Sequence, residues 1–191
     1  MNTTTKAEGK QKTAVKVLHI PVYDFDGLDE SAKEKARDWY RNGALDFDWW
    51  NSTYEDAATI GLKITSFELD RGRHCEGEFK YFGGAEQCAR LILKEHGDKC
   101  ETYKTAKKYL ADFAKLNAEI EAVDGDDETN VEYELWQDKR GELNDEFLRS
   151  LLEDYSIILQ NEFDYLLSDE AVDETIRINE YTFTAEGKRE G

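Results

Sequence analysis

From Trp136 to Leu166, the large residues Trp136, Leu143, Phe147, Leu151, Tyr155, Leu159, Phe163 and Leu166 return at spacings of 3, 4 or 7. An α-helix turns once in 3.6 residues, so this spacing gathers them into one apolar stripe. The pattern predicts a helix from about Glu132 to Leu167, roughly 54 Å long at 1.5 Å per residue. A stripe of that length has to be covered by another element. The segment from Tyr103 to about Val123 is suited to it, with Tyr103, Ala106, Tyr109 or Leu110, Phe113, Leu116 or Asn117 and Ile120 on one side. The two segments are expected to form an antiparallel helical pair.

Opposite the stripe lie Asp138, Glu142, Asp145, Glu146, Glu153, Asp154 and Glu162, an acidic face on the same predicted helix. The chain of 191 residues has a formal charge of −18, and that charge is unevenly placed. Residues 1–118 hold 20 acids and 19 bases, whereas residues 119–191 hold 23 acids and 6 bases. Like charges held close together oppose compaction, so a folded acidic run costs stability that a solubilising surface does not require. Asymmetry of this kind suggests that the two parts meet different surroundings.

The rest of the chain reads as mixed structure. Residues 1–13 are polar and expected to be a loose tail, as are residues 187–191. Between them one α+β domain is expected over 14–186, divided into a near-neutral scaffold (14–118) and an acidic helical part (119–186). Val15, Val17 and Ile20 to Tyr23 read as a first strand, with Pro21 at a sheet edge. Asp29, Glu30 and Ser31 open a helix that carries Ala32, Ala36, Trp39 and Tyr40 and stops at Gly43. A second helix is expected from Asp46 or Asp48 to about Thr59. Leu62–Leu69 and His74–Phe82 flank the turn Asp70-Arg71-Gly72-Arg73 as a β-hairpin.

Ala85–His96 reads as a third helix, Ser168 and Asp169 cap a short one, and Thr175–Thr184 reads as a last strand. The expected fold is α+β: a small antiparallel sheet of N-terminal strand, central hairpin and C-terminal strand, packed with five or six helices. No run approaches the roughly 20 apolar residues of a membrane span, and the polar, lysine-bearing start predicts a cytoplasmic protein. Three cysteines at irregular spacing suggest free thiols rather than a disulfide framework.

Motifs for chemistry are sparse. His74, Cys75, Cys88, His96 and Cys100 lie close in sequence but contain no tight C-x-x-C pair, so no metal site is assigned. Asp124, Asp126 and Glu128 imitate the start of an EF-hand loop, yet Thr129 stands where its glycine turns and Leu135 where its glutamate chelates. Neither a nucleophile elbow nor a phosphate-cradling glycine loop is present. A non-catalytic protein without cofactor is expected. Adjacent helical residues cannot both face inward, so Trp49 or Trp50 is a candidate exposed aromatic anchor. Arg71, Arg73, His74 and Lys80 on the hairpin are the candidate anion contacts.

The stretch AKEKARDWYRNG (residues 32–43), followed by ALDFDWW, YEDA and IGLKI, resembles a group of acidic proteins encoded by phages and prophages. TYKTAKKYL and residues 146–176 extend the resemblance. The resemblance implies an anti-defence role of the anti-restriction or anti-CRISPR kind. DNA-binding grooves are lined by Lys and Arg, so a rigid row of carboxylates can compete for them. The expectation is an inhibitor whose acidic helix occupies a basic groove of a host protein, without membrane contact and without direct DNA binding by that face. Two alternatives are a module that binds through aromatic and hydrophobic surface, and an anti-defence protein that binds a nucleotide signal at the hairpin.

Overall fold

The computed structural model describes residues 19–43, 45–81, 84–121 and 130–190. They form an α+β protein with six helices and two small antiparallel ladders of two strands each. The chain divides into two compact units, residues 1–42 with 173–191, and residues 43–172. This boundary does not follow the charge step at 118/119. The larger unit holds 31 acids and 14 bases, the smaller 12 and 11, so the excess negative charge belongs almost wholly to the larger one.

In the smaller unit, β1 (Tyr23–Asp24) pairs antiparallel with β4 (Thr182–Phe183). Between them in sequence comes α1 (Glu30–Arg41), which starts at Asp29 because its carboxylate accepts the Ala32 N–H at 2.8 Å. Ala32 and Ala36 are buried on α1, and so is Arg37. The Arg37 guanidinium donates to both oxygens of Asp173, at 2.7 and 2.9 Å, and also to Glu30 and Glu34. Trp39 meets the rings of Tyr181 and Phe183 edge-on.

In the larger unit, α2 (Asn51–Thr59) leads into the hairpin of β2 (Leu62–Glu68) and β3 (His74–Phe79). Lys63 faces Glu78 across the ladder, and a register shift interrupts the pairing between Ile64 and Ser66. Then follow α3 (Gly84–Glu95), α4 (Glu101–Glu121) and α5 (Asn130–Leu166). The contacts Thr105–Asp154, Lys108–Glu146 and Lys139–Glu119 run in opposite senses along α4 and α5, so the pair is antiparallel. Tyr109 stacks on Phe147 with centroids 4.3 Å apart, and Phe113 and Phe79 continue the stack. Ile60, Leu62, Ile64, Cys88, Ile92, Leu151 and Tyr155 complete this core. Gly77 lets β3 approach α5: a Cβ there would lie 2.9 Å from Leu152 Cδ2 and 2.6 Å from the Lys63 carbonyl oxygen.

Several expectations need correction. The strands do not form one sheet; hairpin and terminal strands make separate ladders. Residues 175–184 are not one strand. Helix α6 (Asp169–Ile178) runs through Ile176, with Asp169 and Glu170 in its first turn and Arg177 in its last, which suits the helix dipole. Glu180, at φ 53°, then turns the chain into β4. The second helix begins at Asn51, later than expected. Gly187 is buried, and Phe183 bridges to Arg189, so residues 187–190 are not a loose end. Val15, Val17 and the EF-hand-like acids Asp124, Asp126 and Glu128 lie outside the described residues. No helix of the described residues is long and apolar enough to cross a membrane.

Candidate functional site

The seven acids expected on one face of α5 have different surroundings. Asp138, Glu142 and Asp145 are exposed, and Glu134 joins them within roughly 80° of helical arc. Among the described residues none of these four forms an ion pair. Glu146 is bound by Lys108 at 3.1 Å, and Glu153 by Arg73. Asp154 is half-buried and accepts the Thr105 hydroxyl at 2.7 Å, and Glu162 is half-buried. Beyond residue 150 the side of α5 that carried the acids is covered, as Leu152 and the wholly buried Ser156 show. The open acidic face is therefore the N-terminal half of α5, about 16 Å from Glu134 to Asp145. Two large apolar residues stand beside it in the sequence: Tyr133 and Leu135, 57% and 55% exposed.

The candidate anion contacts do not converge. Arg73 reaches α5, where its Nε donates to Ser156 Oγ at 3.1 Å. Lys80, beyond the other end of β3, donates to the Ala58 carbonyl at the end of α2. The exposed His74 is held through Nδ1 near the Gly72 carbonyl, and Arg71 lies in the turn. Residues 73 and 80 are about 23 Å apart along an extended chain, too far to share one phosphate. Of the two candidate anchors, Trp49 faces inward and Trp50 keeps part of its surface exposed. Trp49 is 8% exposed and packs edge-on against Trp50 and Phe67, while Trp50 is half-buried on Phe67.

A second constellation had no local signal in the sequence. At the turn between α3 and α4, the Cys100 N–H donates to the Gly97 carbonyl at 3.0 Å. The turn carries the His96 ring to the first residues of α4, where Nδ1 lies 2.7 Å from Thr102 Oγ1. Nε2 points the other way, 3.7 Å from Asp56 Oδ2 on α2, and among the described residues it has no hydrogen-bond partner although it is buried. The same Asp56 oxygen accepts the Tyr155 hydroxyl at 2.7 Å. Asp56, His96, Gly97, Cys100 and Thr102 line an open groove of about 480 Å³, walled by Ile157 and Ile158 and bordered by Asp154, Glu95 and Glu101.

The titration of neighbouring groups follows their burial. Burial raises the Tyr155 hydroxyl, and its bond to Asp56 raises it further. Burial also pushes the Asp154 carboxyl above the usual carboxylate range; the Thr105 hydroxyl opposes this, and Glu101 and Glu153 add to it. The Cys88 thiol is pushed up to about 12 and Cys75 to about 11, mainly by burial, so neither is an ionised nucleophile at neutral pH. No group of three or more His, Cys, Asp or Glu among the described residues is arranged to hold a metal ion.

Comparison with protein-family models, with curated proteins and with solved structures gives no match for this chain. The functional reading therefore rests on the chain's own geometry.

Proposed function

We propose that this protein is a non-catalytic binding protein that docks the acidic N-terminal half of α5 onto a basic surface of a partner. The observation that carries the reading is the row Glu134, Asp138, Glu142 and Asp145, exposed and, among the described residues, without a cation partner. Elsewhere on the helix Glu146 and Glu153 are matched by Lys108 and Arg73, so the unmatched row is a local feature. Its charge is carried on a formed helix, so no backbone ordering cost opposes complex formation there. The surface that suits it is a Lys- and Arg-lined groove of a nucleic-acid-binding protein, in line with the anti-defence role that the phage-like segments imply.

Binding of this kind weakens with salt, because the charges are exposed and the screening length falls from about 10 Å at 0.1 M to about 3 Å at 1 M. The test is capture of partners from a bacterial lysate at 50 and 500 mM salt. The captured protein is then titrated with the native chain and with an Asp138→Asn, Glu142→Gln, Asp145→Asn variant. The expected result is loss of affinity by about tenfold or more in the variant and at high salt. Affinity that is flat in salt and unchanged in the variant would sink the reading.

Exposed Tyr133 and Leu135 favour a second reading, in which an aromatic and aliphatic patch supplies most of the affinity and the acids steer encounter. Tyr133→Ser with Leu135→Ser separates the two. The second reading expects these changes to cost more affinity than neutralising the three acids.

A further inference from the structure

The groove at His96 is a separate site from the docking face, and its chemistry is specific. Four carboxylates line or border it and no lysine or arginine does. Glu95 and Glu101 on its rim are bound by Lys94 and Lys104, which leaves Asp56 and Asp154 as the uncompensated charges within. The His96 side chain is only 10% exposed, and its Nε2 finds no partner. A buried polar atom without a partner is rare, because the loss of water is not made good. Here His96 lines a groove of about 480 Å³, so a ligand that opens the contact to Nε2 can supply a partner.

We propose that this groove binds a primary alkylammonium group, which donates to both His96 Nε2 and the Asp56 carboxylate while its stem lies on Ile157 and Ile158. The two acceptors stand 3.7 Å apart. One nitrogen at about 2.9 Å from each sees them at roughly 80°, so its N–H bonds, about 109° apart, reach both with modest bending. In the bound state Nδ1–H donates to Thr102 Oγ1, which leaves the Nε2 lone pair toward the ligand. Without a cation, that lone pair would face a carboxylate. An anion is disfavoured by Asp56 and Asp154, and the isoleucines suit a hydrocarbon stem as they do the stem of a lysine.

The test uses the full-length 15N-labelled chain, titrated at constant ionic strength with n-butylammonium and, separately, tetramethylammonium, which has the same charge but no N–H. Saturable shifts are expected at Gly97, Thr102 and Asn161 with n-butylammonium, and the His96 nitrogen shifts should show an unprotonated Nε2 in the complex. Tetramethylammonium should bind about tenfold more weakly, and Asp56→Asn should weaken n-butylammonium by a similar factor. Asp154→Asn, which keeps an acceptor for Thr105, should weaken it severalfold and serves if the Asp56 variant does not fold. Glu142→Gln on the docking face should leave it unchanged.

An equal response to both cations, a response without saturation, or a protonated Nε2 in the complex would overturn the assignment. So would a Glu142→Gln effect as large as that of Asp56→Asn. Tighter binding of n-butylguanidinium would transfer the site to guanidinium ligands and overturn the ammonium assignment. Partner binding at α5 is read by other variants, so either proposal can fail alone.

Discussion

Gly187 has φ +82°, a conformation that side chains with a Cβ rarely adopt, and a Cβ there would overlap the Ala32 carbonyl of α1. The two faults act together, because neither the αL backbone nor the Ala32 backbone can relax cheaply. Gly187→Ala is expected to cost about 3 kcal/mol or more, read as a lower midpoint in urea unfolding. A midpoint within error of the native chain would mean that the 187–190 turn does not rest on α1. Arg37 makes a different kind of demand. Its pKa is raised, first by the hydrogen bonds it donates to Asp173, and the pair is largely buried. Removing one member of a buried pair leaves the other uncompensated, typically at about 3–5 kcal/mol. Glu30 and Glu34 stay in contact with Arg37, so Asp173→Ala is expected near the lower end, about 3 kcal/mol, by the same unfolding measurement. Arg37→Met, which leaves the buried Asp173 carboxylate with Arg177 3.9 Å away, should cost at least as much as Asp173→Ala. A smaller cost would show that burial of the guanidinium, not its pairing, dominates.

At the scale of the element, α5 has two halves with different neighbours, and Asp154 lies in the covered one. Its folded pKa is raised above the ordinary carboxylate value, so the folded state holds that proton more firmly than the unfolded state does. The ionised carboxylate therefore opposes folding above the folded pKa, and the penalty vanishes as pH falls below the unfolded value. Asp154→Asn should stabilise the protein at pH 7 by less than about 1 kcal/mol, since the group is only half-buried and solvent screens it. The gain should shrink toward pH 3, and denaturant unfolding across that range checks it; a gain that grows with acid would reverse the sign. The stripe from Phe147 to Leu159 was legible because it repeats at helical spacing over several turns. The burial of Leu152 and Ser156 was not, since it depends on β3 docking on that side through Gly77. Ile176, Ile178, Tyr181 and Phe183 read as an alternating run, whereas Ala171, Val172 and Ile176, at helical spacing, are the residues that α6 buries. The His96 groove draws Asp56 from α2 and Asp154, Ile157 and Ile158 from α5, and no local spacing links residues so far apart in the chain.

For the whole molecule, the dominant fact is that residues 43–172 carry nearly all of the excess charge, 31 acids against 14 bases. Two opposing effects of salt act on such a unit. Screening weakens exposed ion pairs such as Lys108–Glu146 and Arg73–Glu153, but each is worth about 1 kcal/mol or less. Screening also relieves repulsion summed over every unmatched acid, including Glu134, Asp138, Glu142 and Asp145, and this sum is the larger. Raising NaCl from 20 to 500 mM should therefore raise the melting temperature. A net gain of about 1–2 kcal/mol corresponds to roughly 2–8 °C for a chain of this size. The Asp138→Asn, Glu142→Gln, Asp145→Asn variant should melt higher than the native chain at 20 mM salt and respond less to added salt. Differential scanning calorimetry in the two salts checks both statements. A melting temperature that falls with salt would show that attractive pairs outweigh repulsion, and that the acids are matched in the folded state. The same three substitutions are expected to weaken partner binding. A variant that is more stable but binds less well is the outcome expected if the acids are kept for docking at a cost in stability, and a solubilising surface predicts no such opposition.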